Sequence, residues 1–368
     1  MPKVAAPTLS RRALSRATLA RQLLLERHDV AVQEAIARLA GMQAQVARPP
    51  FVGLWTRLAR FERQDLLTLI HGRQVVRGTA MRGTLHLMTA EDFRAWRSPL
   101  QPMLTAGMKA TLRDRISGDE VQRCVEVARE FLLAEPRPFN ALRDHLVERF
   151  PDGDERAMGY AVRMTLPLVM VPDASPWGFP ADAAFAVADS WMAEPTSPED
   201  AATDLIRRYL AAFGPASVAD AQAWSGLKGL KPVFEALRGE LEAFRDERGR
   251  ELFDLPGSPR PDEETPVPVR FLPDFDNLVL AHDDRSRVVP DEYRPRIVTR
   301  NLLVLATFLV DGVVSGTWKV ERKGKKATLL VQHFEDLKAS RRDELVHEGS
   351  LLLDFAEPDA DRREVAFA

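Results

Sequence analysis

Apolar residues recur near helical spacing through LSRRALSRATLARQLLL, which predicts a first helix with Ser10 as its N-cap. A second helix is expected over about Val30 to Met42 and a third in FVGLWTRLARF, after Pro49 and Pro50. A fourth, in RQDLLTLIHGR, should end at Gly72. From Val75 the period drops to two. VVRGTAMRGTLHLMT alternates, carries two Arg-Gly-Thr repeats and reads as a β-hairpin. If MRGTLHLMT is one strand, Arg82, Thr84, His86 and Met88 share one face, with Leu85 and Leu87 on the other. The leucine face should pack on the helices, leaving an arginine, a hydroxyl and an imidazole in a row. An exposed strand face with a hydrogen-bonded histidine is the plain alternative.

The same plan recurs twice. EVQRCVEVAREFLLAE, ALRDHLVERF and DERAMGYAVRMTL read as helices, and LVMVP and AAFAVAD as short strands around the turn PDASPWGFP. PEDAATDLIRRYLAAFG, PASVADAQAWSGL and GLKPVFEALRGEL are the next helices. Ser217 and Asp220 stand at capping positions, and LEAFRDERGRELFDLP closes the block as a hairpin around Glu247-Arg248-Gly249. The linker PGSPRPDEETPVP then leads to a different kind of sequence. VRFLPDFDNLVLAH, LLVLATFLVDGVVSGTWKVERKGKKATLLVQHF and SLLLDFA read as strands, with turns at Asp311-Gly312 and Lys323-Gly324 and one helix around Asp343 to Glu348. The expected fold class is α+β, mainly α: three tandem winged-helix units at 1–91, 92–197 and 198–256, a linker at 257–267, and a small C-terminal β-barrel or sheet domain at 268–368.

Charge adds a direction to this layout. The net charge of −3 divides into +11 over residues 1–115 (19 Lys+Arg, 8 Asp+Glu) and −14 over the rest (32 Lys+Arg, 46 Asp+Glu). A basic first third suits contact with a polyanion, and solvated arginines on helix faces are the alternative. No apolar run approaches a membrane span and the N-terminus lacks the apolar core of a signal peptide, so no membrane association and a cytoplasmic location are expected, nucleoid-associated when bound to DNA. The single cysteine, Cys124, excludes an internal disulfide and a thiolate zinc cluster and is expected in the core. No metal-ligand cluster, phosphate loop or flavin motif is present, so no cofactor and no metal are expected.

One stretch, Gly41-Met42-Gln43-Ala44-Gln45, sets two glutamines one residue apart. On a continuing helix, positions two apart point about 200° from each other, so Gln43 and Gln45 could serve one site only if the helix has already ended. Gly41, with Pro49 and Pro50 downstream, makes that the expectation. A polar helix end against solvent is the competing account.

Gln43-Ala44-Gln45, RGTLH in the first hairpin, and LPDFDNLVLAHDDRSR and GTWK in the last part together resemble the AlkZ and YcaQ family of winged-helix DNA glycosylases, over nearly the whole chain. The Gln-x-Gln form is similar to the AlkZ branch, whereas the YcaQ branch is typified by aspartate where Gln45 stands. That favours enzymes protecting producers of DNA-alkylating natural products over the general repair branch. The resemblance implies hydrolysis of the bond between a damaged purine and its deoxyribose, with Gln43 and Gln45 lining the active site. It implies double-stranded DNA carrying alkylated purines as the partner, with Thr84 and His86 facing it; strand parity extends this to Arg82, and Arg48 is a further expected contact. A purine alkylated at N7 already carries positive charge and leaves through an oxocarbenium-like transition state, so a site without a strong base would act on weakened bonds. An open cleft is expected, since bulky adducts and interstrand crosslinks would not fit a snug pocket. Asymmetric charge suits a monomer wrapped on DNA. Two non-catalytic readings remain open: a winged-helix regulator and a protein that shields adducts without cutting them.

Overall fold

The structure is a computed structural model that describes residues 6–192 and 201–368. The expected unit boundary at 197/198 and the basic Lys3 lie outside the described residues. Local chemistry forms most helices where the periodicity placed them. Ser10 caps Arg11–Arg21 through a bond from Ala13 N, and Glu62 and Asp65 form a capping box for Arg63–His71. Ser117 with Glu120 does the same for Gly118–Ala134, as Ser217 with Asp220 does for Val218–Ser225. Cys124 is buried.

The second helix is shorter than expected: it spans Val32–Arg38, and Ala40 and Gly41 then turn the chain at φ 54 and φ 80. A Cβ on Gly41 would also lie 2.9 Å from Met88 Cγ, so both conformation and space call for glycine. The chain emerges as a short strand, Met42–Gln43, beside Leu85–Thr89. This begins a six-stranded sheet in the order Met42–Gln43, Leu85–Thr89, Val75–Thr79, Leu168–Met170, Ala184–Val187, Arg137–Pro138. The strands of the first two helix–hairpin blocks therefore share one sheet. Their junction is Gly78 opposite Val169, where a Cβ on Gly78 would meet Leu168 O at 2.8 Å and Phe93 at 2.6 Å. The hairpin Glu242–Asp246/Glu251–Asp254 takes in Thr8–Leu9 as a parallel third strand.

The C-terminal part is an open five-stranded sheet and not a closed barrel: Arg270–Leu272, Thr307–Val310, Val313–Lys323, Lys326–His333 and Arg362–Phe367, the last pair parallel. SLLLDFA, expected as a strand, lies in the helix Ala339–Ala356. The helical segment reaches back to Ala339, and Leu345, Leu352 and Leu353 are buried against Phe271, Leu329 and Val331 of the sheet. The fold is thus mixed α and β, mostly helical with sheets. Among the described residues, no helix is long and apolar enough to cross a membrane.

Part of the basic first third is used inside the molecule. Arg12 and Arg16 pair with Asp311, Arg21 with Asp254, Arg27 with Glu348, Arg48 with Glu357 and Arg57 with Asp276. These six arginines tie the +11 segment to the −14 segment, a use of charge that the sequence reading did not include.

Candidate active site

With the helix ended at Arg38, Gln43 lies in the short strand Met42–Gln43 and Gln45 in the bend that follows it. Gln43 pairs with His86 across the sheet, and Ala44 N donates to Leu85 O at 2.7 Å. Gln43 is 8% exposed, whereas Gln45 is exposed, as is its neighbour Val46 at 54%. The two Arg-Gly-Thr repeats grip this segment from opposite ends of the hairpin loop. Arg77 donates through Nε to Ala44 O (2.8 Å) and through Nη2 to Gln45 O (3.0 Å), fixing the backbone. Arg82 donates through Nη2 to Gln43 Oε1 at 2.8 Å, fixing a side chain. Gln45 Oε1 accepts from Leu85 N at 3.3 Å.

The hairpin differs from its sequence reading at the turn. Residues Met81–Gly83 form a 3-10 turn with Arg82 at φ 56, and the strand begins only at Leu85. Strand parity therefore stops before Thr84, and Arg82 points inward instead of lining an open face. There it bridges three parts of the chain: Gln43, Trp224 O at the end of Val218–Ser225 (2.5 Å) and Asn277 Oδ1 (3.2 Å). Thr84, half-buried, donates to Met81 O. His86 is sealed from solvent, in a strand paired with Met42–Gln43 on one edge and Val75–Thr79 on the other, and so does not face an open surface. Arg48 is held by Glu357 at 2.9 Å and lies over the Trp177 ring at 5.4 Å.

Burial dominates the electrostatics here. It pulls the pKa of Arg77 and of Arg82 down to about 10 in each case. His86 is driven to about 3, by desolvation first and then by the Arg82 charge, so the ring is neutral. Its Nδ1 faces Thr84 O at 3.1 Å and carries the proton, while Nε2 is sealed without a partner. The unfolded chain takes up this proton below about pH 6.5 and the folded chain does not. The histidine's contribution is therefore fully present above that pH and is lost as pH falls toward 3. Urea unfolding between pH 7.5 and 5 should show stability falling by up to about 1.4 kcal/mol per pH unit from this residue, with a shallower slope in His86→Gln. An unchanged slope in that variant would contradict the assignment.

A wall of the cleft comes from the C-terminal part. Pro273, Asp274, Phe275, Asp276 and Asn277 line it together with Gly41, Met42, Gln43 and Pro49. Asp276 makes a two-pronged buried pair with Arg57, at 2.9 Å on both oxygens. Asn277 donates from Nδ2 to Gly41 O at 3.1 Å. Asp274 stands at the rim and accepts from Ala306 N, and its partial desolvation raises its pKa. These residues were expected in a strand. Only Arg270–Leu272 is one, and the proline and aspartates of LPDFDN were the available turn signal.

Three comparisons bear on this site. A family model described as DNA glycosylase AlkZ-like matches residues 36–355, a span that contains the glutamines, the hairpin and the 273–277 wall. An interstrand DNA cross-link repair glycosylase of Streptomyces sahachiroi is 25% identical over 335 residues, covering 82% of this chain and 85% of its own. The solved structure of the Streptomyces sahachiroi DNA glycosylase AlkZ aligns with a TM-score of 0.80 at 21% identity, covering 98% of this chain and 100% of that one, a likeness of fold.

Proposed function

Because the chain belongs to the AlkZ-like DNA glycosylase family, we propose that it is a monofunctional DNA glycosylase that hydrolyses the N-glycosidic bond of bulky N7-alkylated purines in double-stranded DNA. Purines tied into interstrand crosslinks are included, in repair or in self-resistance to a genotoxic natural product. The relative whose name specifies cross-link repair supports that extension. The blocks 1–91, 92–197 and 198–256 are read as three winged-helix units, acting as a monomer on the duplex. The observation that carries the reading is the pair Gln43 and Gln45, two residues apart on a segment whose backbone Arg77 holds, each amide oxygen taken by the hairpin, with one side chain sheltered and one exposed.

Neither glutamine can take a proton at neutral pH, so the chemistry must lean on a leaving group that is already activated. An N7-alkylpurine is cationic, and cleavage of its bond to the sugar develops oxocarbenium character. Asp274 supplies a carboxylate at the rim toward such a cation. Gln45 and Val46 are exposed, so a bulky adduct is read as lying against the open surface there, outside the narrow pocket lined by Gln43 and Asp274.

The test is single-turnover incubation with duplexes carrying one bulky N7-alkylguanine or one N7–N7 crosslink. Free modified base and an alkali-labile abasic site are expected from both. Tight binding with no base released from either duplex would favour the non-catalytic reading.

A further inference from the structure

We infer that Arg82 and Asn277 are positioning residues that turn the Gln43 amide so that it enters the reaction as a hydrogen-bond donor to the departing base. This rests on the reading of Gln43 as catalytic.

The orientation of the amide follows from its partners. A guanidinium has donors only, so the Gln43 atom facing Arg82 Nη2 at 2.8 Å must be the oxygen. A half-turn of the amide would bring two donors together in a desolvated site. Asn277 is fixed by the same logic: its Nδ2 donates to Gly41 O, which leaves Oδ1 to accept from Arg82. The result is a chain of bonds from the backbone just before Gln43, through the C-terminal wall, to the Gln43 side chain. Gln43 Nε2 has no protein partner among the described residues, yet it is not one of the sealed polar atoms, so it is the end available to the cleft. Gln45 is oriented alike, its oxygen taken by Leu85 N.

The charge on Arg82 strengthens this arrangement. Its hydrogen-bond partners are Trp224 O, Gln43 Oε1 and Asn277 Oδ1, all neutral. A cation resting on a neutral amide oxygen polarises that amide and makes its N–H a better donor. During cleavage the C1′–N9 bond breaks and its electron pair passes to the purine, cancelling the positive charge there. Water oxygen adds to C1′, and the proton that water loses goes to solvent. Electron density thus rises on the acceptor atoms of the base as the bond breaks, so a preset donor binds the transition state better than the cationic ground state.

Gln43→Glu separates the donor from the acceptor role, because glutamate keeps the length and the Arg82 contact but carries no N–H. With duplex bearing one N7-alkylguanine, single-turnover release at saturating enzyme should fall by about 10²-fold in Gln43→Glu, as in Gln43→Ala. Release from Gln43→Glu at or above the wild-type rate, with Gln43→Ala inactive, would overturn the donor role and leave the site reading standing. Wild-type release from Gln43→Ala would overturn the site reading itself. For the positioning residues, Asn277→Ala and Arg82→Lys should each slow release about 10-fold with little change in duplex affinity, and should cost nothing further in a Gln43→Ala background. Additive losses there would mean that the two residues act on stability alone. The cycle reads coupling, which a general loss of fold does not imitate.

Discussion

Asp276→Ala is expected to lower the unfolding free energy by about 3–5 kcal/mol, the usual cost of stranding one member of a buried ion pair. Its partner Arg57 is 2% exposed as a side chain and Asp276 3%, and Arg57 also donates to Gln22 O and Gly53 O, so it cannot swing out to water. Loss of the carboxylate leaves a buried guanidinium with carbonyl partners only. Urea unfolding measures the effect. Replacing both partners, as Arg57→Met with Asp276→Leu, should recover much of the loss, because the desolvation cost disappears along with the attraction. A single-variant loss below about 1 kcal/mol would mean that water reaches the pair. Base release should fall as well, since Asp276 anchors the turn that carries Asn277.

Gln43→Ala combined with Gln45→Ala should abolish base release, lowering it by at least about 10²–10³-fold, the scale set by loss of a preorganised group at a reacting centre. Duplex affinity should change little, because neither side chain carries charge and phosphate contacts dominate binding. The backbone of the segment stays clamped by Arg77 at Ala44 O and Gln45 O, so the double variant should retain its fold and melting temperature. Release that persists at the wild-type rate would move the active centre elsewhere.

What could be read in the sequence was what neighbours in sequence decide. Ser10, and Ser217 with Asp220, cap helices as their spacing implied, and the end of the helix before Gln43 followed from Gly41. The hairpin was legible too, but its polar face was not. Alternation gave no sign that Arg82 would take φ 56 in a turn, and a two-residue strand such as Met42–Gln43, which pairs with His86, has no periodicity to detect. Three successive leucines in SLLLDFA fit a buried strand as well as a helix, and length decided against the strand. The role of LPDFDN was beyond any local reading, because its partners Gly41, Arg57 and Arg82 lie about two hundred residues away.

That separation matters while the chain is being made. Asn277 reaches Gly41 across 236 positions, and Arg16 reaches Asp311 across 295. As the polypeptide leaves the ribosome, the glutamine segment can pair with the nearby hairpin, but its bond to Asn277 and those of the first helix to Asp311 must wait until more than two-thirds of the protein exists. Contacts this distant slow folding, because loop closure must precede the gain they bring. On the proposed reading, a chain still short of Asn277 holds its glutamine segment against the hairpin but lacks the C-terminal wall that braces it, and a product truncated there would keep the glutamines without that brace.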